Sequence, residues 1–237
     1  MTSRTTAGQQ LAALSIALLL WSGVANLVIG DTLYTVRNLA LTGLLLAGWL
    51  WRIDRGGGLE ALGLARSSLA AGTRWGIGAA VVVAIALVGA VLLADRVDAV
   101  ATLLADERAA ATDGSLLSAT LVRIPIGTAI FEEVAFRGVL LALALRILPP
   151  LRAVGATSVV FGLWHIAPTI VTLRINEVEV ASLAGTGALA GAVLVTAVAG
   201  AGFCWLRLRS GSLVAPILAH WATNSFGLLA AATQGWE

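Results

Sequence analysis

The chain has 237 residues, 59% of them hydrophobic and only 12% charged, with a mean hydropathy of +0.93 and a formal net charge of +2. That leaves too little polar surface to cover a soluble globule, so composition specifies an all-α polytopic membrane protein with the lipid bilayer as its surroundings. The basic residues, all fifteen of them Arg, are scattered, which gives no reason to expect a nucleic-acid partner, and a lone cysteine, Cys204, excludes a disulfide framework or a thiolate metal cage.

Taken in chain order, the polar residues 1–10 precede an apolar stretch from Leu11 to Gly30. It is long enough to cross a bilayer and is followed by no small-x-small cleavage site, so a retained first span is expected. Asp31 and Thr32 turn the chain into a second span, Leu33 to Trp51, with Arg37 and Asn38 near its outer end, where a long side chain can snorkel. Arg52 to Arg74, with its three consecutive glycines, reads as a loop plus a short surface segment. A third span covers Trp75 to Ala94. The acidic stretch Asp95 to Gly114 follows, with Val97, Val100, Leu103 and Leu104 at the spacing of an amphipathic surface helix. A fourth span runs from Ser115 to Arg146, longer than a straight crossing needs, with Pro125 as a source of a kink; Pro149-Pro150 ends it. The fifth span is Leu151 to Ile166, followed by a polar loop from Pro168 to Val180. The sixth is Leu183 to Leu206, a turn covers Arg207 to Ser212, and the seventh is Leu213 to Thr233.

The expected fold is therefore one integral membrane domain over 1–237, a bundle of about seven transmembrane helices, an eighth crossing being the rival count. Alternating loops put Arg4, Arg52, Arg55, Arg66, Arg74, Arg146, Arg152, Arg207 and Arg209 on one side and only Arg96, Arg108 and Arg174 on the other. By the positive-inside rule the N-terminus is cytoplasmic and the C-terminus outside, in a cell's inner or plasma membrane.

The fourth span carries Glu132, Glu133 and Arg137 within one apolar run. Each charge near a bilayer centre costs roughly 2.5–3.5 kcal/mol on insertion scales, against about 0.3–0.6 gained per large aliphatic residue, so an intramembrane ionisable residue is by default a functional-site hypothesis. Glu133 and Arg137, four apart on one helix face, can pair and read equally well as a structural salt bridge. Glu132, turned about 100 degrees away, has no local counter-ion and is the better general base. Both histidines of the chain also fall inside spans, His165 four residues after Phe161 and His220 four before Asn224. Counted at about 1.5 Å per residue from the Arg-rich side, Glu132, His165 and His220 lie roughly 21, 20 and 17 Å deep. Groups at one depth can meet. A Glu, two His and an Asn can activate water and stabilise an oxyanion, or, as Glu132, His165 and His220, hold a divalent metal with open positions. The plainer alternatives are an interhelical clamp for His220 with Asn224, and core or interfacial roles for Phe161 and the eight tryptophans.

In these residues the sequence resembles the CPBP intramembrane proteases, which include the type II CAAX prenyl endopeptidases and the bacterial Abi proteins. Their signatures Glu-Glu-x-x-x-Arg, Phe-x-x-x-His and His-x-x-x-Asn/Asp occur in order as Glu132-Glu133 to Arg137, Phe161 to His165 and His220 to Asn224. The resemblance covers about 115–226, a catalytic core, and leaves 1–114 as N-terminal spans and surface segment. It implies an endopeptidase acting on a membrane-associated protein or peptide: Glu132 and His165 would activate water, His220 and Asn224 would stabilise the oxyanion, and Glu133, Arg137 and Phe161 would orient the site. A glutamate mechanism without cofactor or metal is the expectation, a divalent metal being the alternative. A non-catalytic scaffold or bacteriocin-immunity protein of the same fold is the rival function.

Overall fold

A computed structural model describes residues 4–53, 58–104 and 116–233, and all of its regular structure is helical. Helix α1 (Arg4–Gly23) continues through a wider π turn, Val24–Ile29, and reverses at Gly30, whose φ of 66° needs a residue without Cβ. Helix α2 is Tyr34–Gly48, extended by Trp49–Ile53; a short 3₁₀ turn, Arg66–Ser68, leads into α3 (Leu69–Ala94), and α4 is Asp98–Leu104. The motif helix, α5, is one continuous run over 116–145. Helices α6 (Pro150–Trp164) and α7 (Ile166–Ile175), α8 (Leu183–Ser210) and α9 (Val214–Ala232) complete the chain. Four segments are long and apolar enough to cross a membrane by length and composition: Thr5–Ile29, Arg66–Ala94, Pro150–Ile175 and Leu183–Ser210. The chain is a multi-pass membrane protein. The expected spans α2, α5 and α9 are not among the four; α5 carries Arg123, Glu132, Glu133 and Arg137, and α9 is shorter and carries His220 and Asn224.

Helix α5 is the axis of the bundle. From Phe131 to Leu141 every side chain is buried, and the packing clusters meet on it: Phe131 and Phe136 with Leu18, Phe161 and Trp164; Val139 and Leu143 with Trp49 and Leu62; Leu141 and Ala144 with Ala153 and Cys204. A helix buried on all faces is a core helix. Lipid tails are as apolar as leucine, so helix association here depends on close packing and not on escape from water. Gly162 is one such contact: a Cβ on it would lie 2.6 Å from the Val193 carbonyl oxygen, which is what lets α6 and α8 touch backbone to backbone.

Much of α5 is wound as a π-helix, over Ala119–Ala129 and again over Glu133–Leu140, with Ile130 N–H donating to the Pro125 carbonyl five residues back. Pro125 lengthens the turn without breaking the helix. In this register Pro125 would be the donor to the Thr120 carbonyl, and it has no N–H. The orphaned oxygen is satisfied from α9 instead, by Trp221 Nε1 at 2.7 Å and Ser225 Oγ at 3.1 Å. Asn38 does the same for Gly127 O, at 2.7 Å. Near the end of its span, it is buried against α5.

Two further expectations need correction. The loop expected from Pro168 to Val180 is helical to Ile175, because Pro168 sits in the first turn of α7, where no intrahelical N–H donor is required. The connection before α3 is exposed or half-buried over most of its described length, as expected of a surface segment, but it is anchored to the bundle: Leu62 is fully buried, Gly63 O accepts from Leu213 N–H, and Arg207 donates to the carbonyls of Leu62 and Ala61 at 3.1 Å each. Arg207 therefore belongs to the last turn of α8, not to the turn that begins after Ser210, where Gly211 adopts φ 68°. The acidic residues Asp106, Glu107 and Asp113, the start of the fourth span at Ser115, and Asp54 to Gly57 lie outside the described residues.

Candidate active site

The two adjacent carboxylates sit where α5 passes from an α turn, Ile130–Glu132, into the second π segment. They point to different partners. Glu133, fully buried, accepts through one oxygen, Oε1, from Arg137 Nη1 at 2.8 Å and from His220 Nδ1 at 2.7 Å. Arg137 is as deeply buried, and its guanidinium lies 3.9 Å from the ring centre of Phe161 and 5.0 Å from that of Phe203. A cation between aromatic faces and a carboxylate is held without water, each desolvated cation–π contact contributing up to about 2 kcal/mol. Phe203 also stacks on His220, 5.1 Å between ring centres at 18°. The expected pair is thus a triad, with a histidine from α9 as third member.

Glu132 is held differently. Its Oε1 accepts from Trp164 Nε1 at 3.2 Å, whereas Oε2 has no hydrogen-bond partner among the described residues and lies 3.8 Å from His220 Nε2. His165 stands at the junction of α6 and α7, its Nδ1 2.8 Å from the Phe161 carbonyl. A carbonyl oxygen only accepts, so Nδ1 carries a proton, and in the neutral ring the lone pair is on Nε2. Edge-to-face contact with Phe161, 4.6 Å between centres, fixes the ring plane.

Glu132, His165 and Asn224 line one cavity of about 850 Å³, with Trp164, Tyr34 and Arg37 also in its wall. His220 lies directly behind Glu132. The structure therefore brings together Glu132, Glu133, Arg137, Phe161, His165 and His220, and sets Asn224 on the wall of the same cavity; it does not pair His220 with Asn224. Trp164 is the residue sequence reasoning missed. Its signal was present, an indole one position before His165 in a buried span, but an N–H reaching across to α5 has no trace in spacing. Among the described residues no group of three or more His, Cys, Asp or Glu is arranged to hold a metal ion. The conditional set Glu132, His165 and His220 does not form such a group, and Glu132 Oε2 and His220 Nε2 lie 3.8 Å apart.

A family model described as type II CAAX prenyl endopeptidase Rce1-like matches residues 114–226. Over that segment the chain is similar to the Rce1-like family. The matched segment contains all of Glu132, Glu133, Arg137, Phe161, His165, His220 and Asn224, and its ends lie close to those of the core expected over about 115–226. Helices α1 to α4 lie outside the Rce1-like match, yet α1 and α2 supply Trp21, Tyr34 and Arg37 to the cavity wall. No curated protein and no solved structure matches the chain.

Proposed function

We propose that the protein is an intramembrane endopeptidase that hydrolyses a peptide bond of a membrane-associated protein or peptide, with Glu132 as general base and no metal. The observation that carries this reading is Glu132 Oε2: a carboxylate oxygen buried within the bundle, beside a cavity, with its sister oxygen pinned by Trp164 and no partner of its own. Glu133 Oε2 is also without a partner among the described residues, but Glu133 is closed in behind its Arg137 and His220 contacts and does not line the cavity, whereas Glu132 does.

In the reaction, Glu132 Oε2 takes a proton from water while the Nε2 lone pair of His165 accepts water's second hydrogen and orients it. The water oxygen bonds to the scissile carbonyl carbon, whose π electrons move to oxygen. Asn224 Nδ2 and His220 Nε2–H donate to that oxyanion. For His220 to donate at Nε2 while Nδ1–H is given to Glu133 it must be imidazolium, and the Glu133 carboxylate 2.7 Å away supplies the compensating charge. The C–N bond then breaks, Glu132 returns its proton to the leaving amine, and the carboxylate is regenerated. A buried, preorganised donor at an oxyanion contributes roughly 10²–10³ in rate.

An inner or plasma membrane, with the N-terminus on the cytoplasmic side from the arginine asymmetry, is the proposed setting. The test is peptidomics of membranes from cells carrying the wild type against Glu132→Gln. Peptides generated only by the wild type are expected and would name the substrate; identical peptide sets would remove the proteolytic reading.

A further inference from the structure

Arg37 lines the same cavity. Its neighbour Arg123 is neutralised by Asp31 at 2.7 Å, whereas Arg37 pairs with no carboxylate among the described residues. Nη1 donates to the Gly30 carbonyl at 3.0 Å and Nε to Asn38 Oδ1 at 3.4 Å, while the rings of Trp21 and Tyr34 lie 5.7 and 5.4 Å away. Asn38 is in turn fixed to Gly127 O of α5. These contacts lock the plane of the guanidinium and leave Nη2 unengaged among the described residues, on the cavity wall it shares with Glu132.

A fixed guanidinium fork matches one anion that a peptide can offer, a carboxylate. We infer that Arg37 is the anchor for a carboxylate of the peptide substrate, and so determines which bond reaches Glu132. This rests on the peptidase reading above. Asn38 ties Arg37 to Gly127 of α5, the helix that carries Glu132, and both residues line one cavity. The bound carboxylate belongs either to the substrate's C-terminus or to an Asp or Glu side chain.

The test uses detergent-purified Glu132→Gln protein, which binds without turnover, and three N-acetylated fluorescent apolar peptides: one with a free C-terminal carboxylate, its C-terminal amide, and the amide carrying a single Glu. At least one carboxylate peptide should bind about tenfold or more tightly than the plain amide, matching the value of a charge-assisted hydrogen bond. Which one does so identifies the carboxylate as terminal or side-chain. Adding Arg37→Gln should abolish that preference and leave amide binding unchanged, with Arg37→Lys intermediate because it keeps the charge and loses the fork. Equal binding of all three by the Glu132→Gln protein overturns the assignment whether or not the Arg37 variants fold, as does a preference that survives Arg37→Gln. Failure to bind any of the three would count against the peptidase reading itself.

Discussion

Glu133→Gln isolates the electrostatics of the site. Glu133 and Arg137 are both removed from solvent, 2.8 Å apart, and His220 shares the same carboxylate oxygen. Breaking one side of a buried ion pair costs about 3–5 kcal/mol, because the remaining charge stays desolvated. The Gln carbonyl can still accept from Arg137, and the faces of Phe161 and Phe203 still offset part of its charge, so about 2–4 kcal/mol of destabilisation is expected. Arg137→Met alone should cost a similar amount by stranding Glu133. The double variant Glu133→Gln, Arg137→Met should lose clearly less than the sum of the two, since neither member then leaves the other uncompensated. Denaturant unfolding in detergent, read by tryptophan fluorescence, gives all four corners of the cycle. Additive losses would refute the idea that one shared carboxylate neutralises Arg137. In activity, Glu133→Gln should cost more than stability accounts for, as His220 loses the carboxylate that supports its imidazolium.

Trp164→Phe keeps the aromatic packing on Phe131 and Phe136 but removes the N–H to Glu132. A hydrogen bond to a charged group is valued at about 1.5–3 kcal/mol, so turnover should fall roughly 10- to 100-fold with little change in unfolding; an unaltered rate would show that Trp164 only packs. Gly162→Leu should prevent stable assembly of α6 against α8, since even a Cβ would meet Val193 O at 2.6 Å, and recovery of normally folded, monodisperse protein would contradict that contact. Metal-stripped enzyme in the presence of chelator should keep full activity; loss that is restored by added divalent ion would overturn the metal-free mechanism.

The sequence carried what periodicity, charge and motif spacing can encode. An intramembrane Glu132-Glu133-Arg137 cluster is costly enough to be noticed, and the common depth of His165 and His220 follows from counting helical rise, so their convergence was legible. Contacts made by backbone geometry were not. The π winding around Pro125 frees the Thr120 carbonyl for Trp221, and no residue pattern announces an i−5 register. A position near a span's end encodes neither the burial of Asn38 against α5 nor the place of Arg37 in the cavity wall. Likewise the stretch around Leu62 is rich in glycine and reads as a loop, and only the tertiary structure reveals that Arg207 caps its carbonyls.

The most direct measurement is hydrolysis by purified protein in detergent of a peptide drawn from the wild-type membrane set, compared with Glu132→Gln. The Gln side chain keeps the volume and the Trp164 contact and removes only the base, so cleavage should fall to background while the circular dichroism spectrum stays that of the wild type. Cleavage at an undiminished rate by the Gln variant would contradict the role assigned to Glu132 and with it the proposed site.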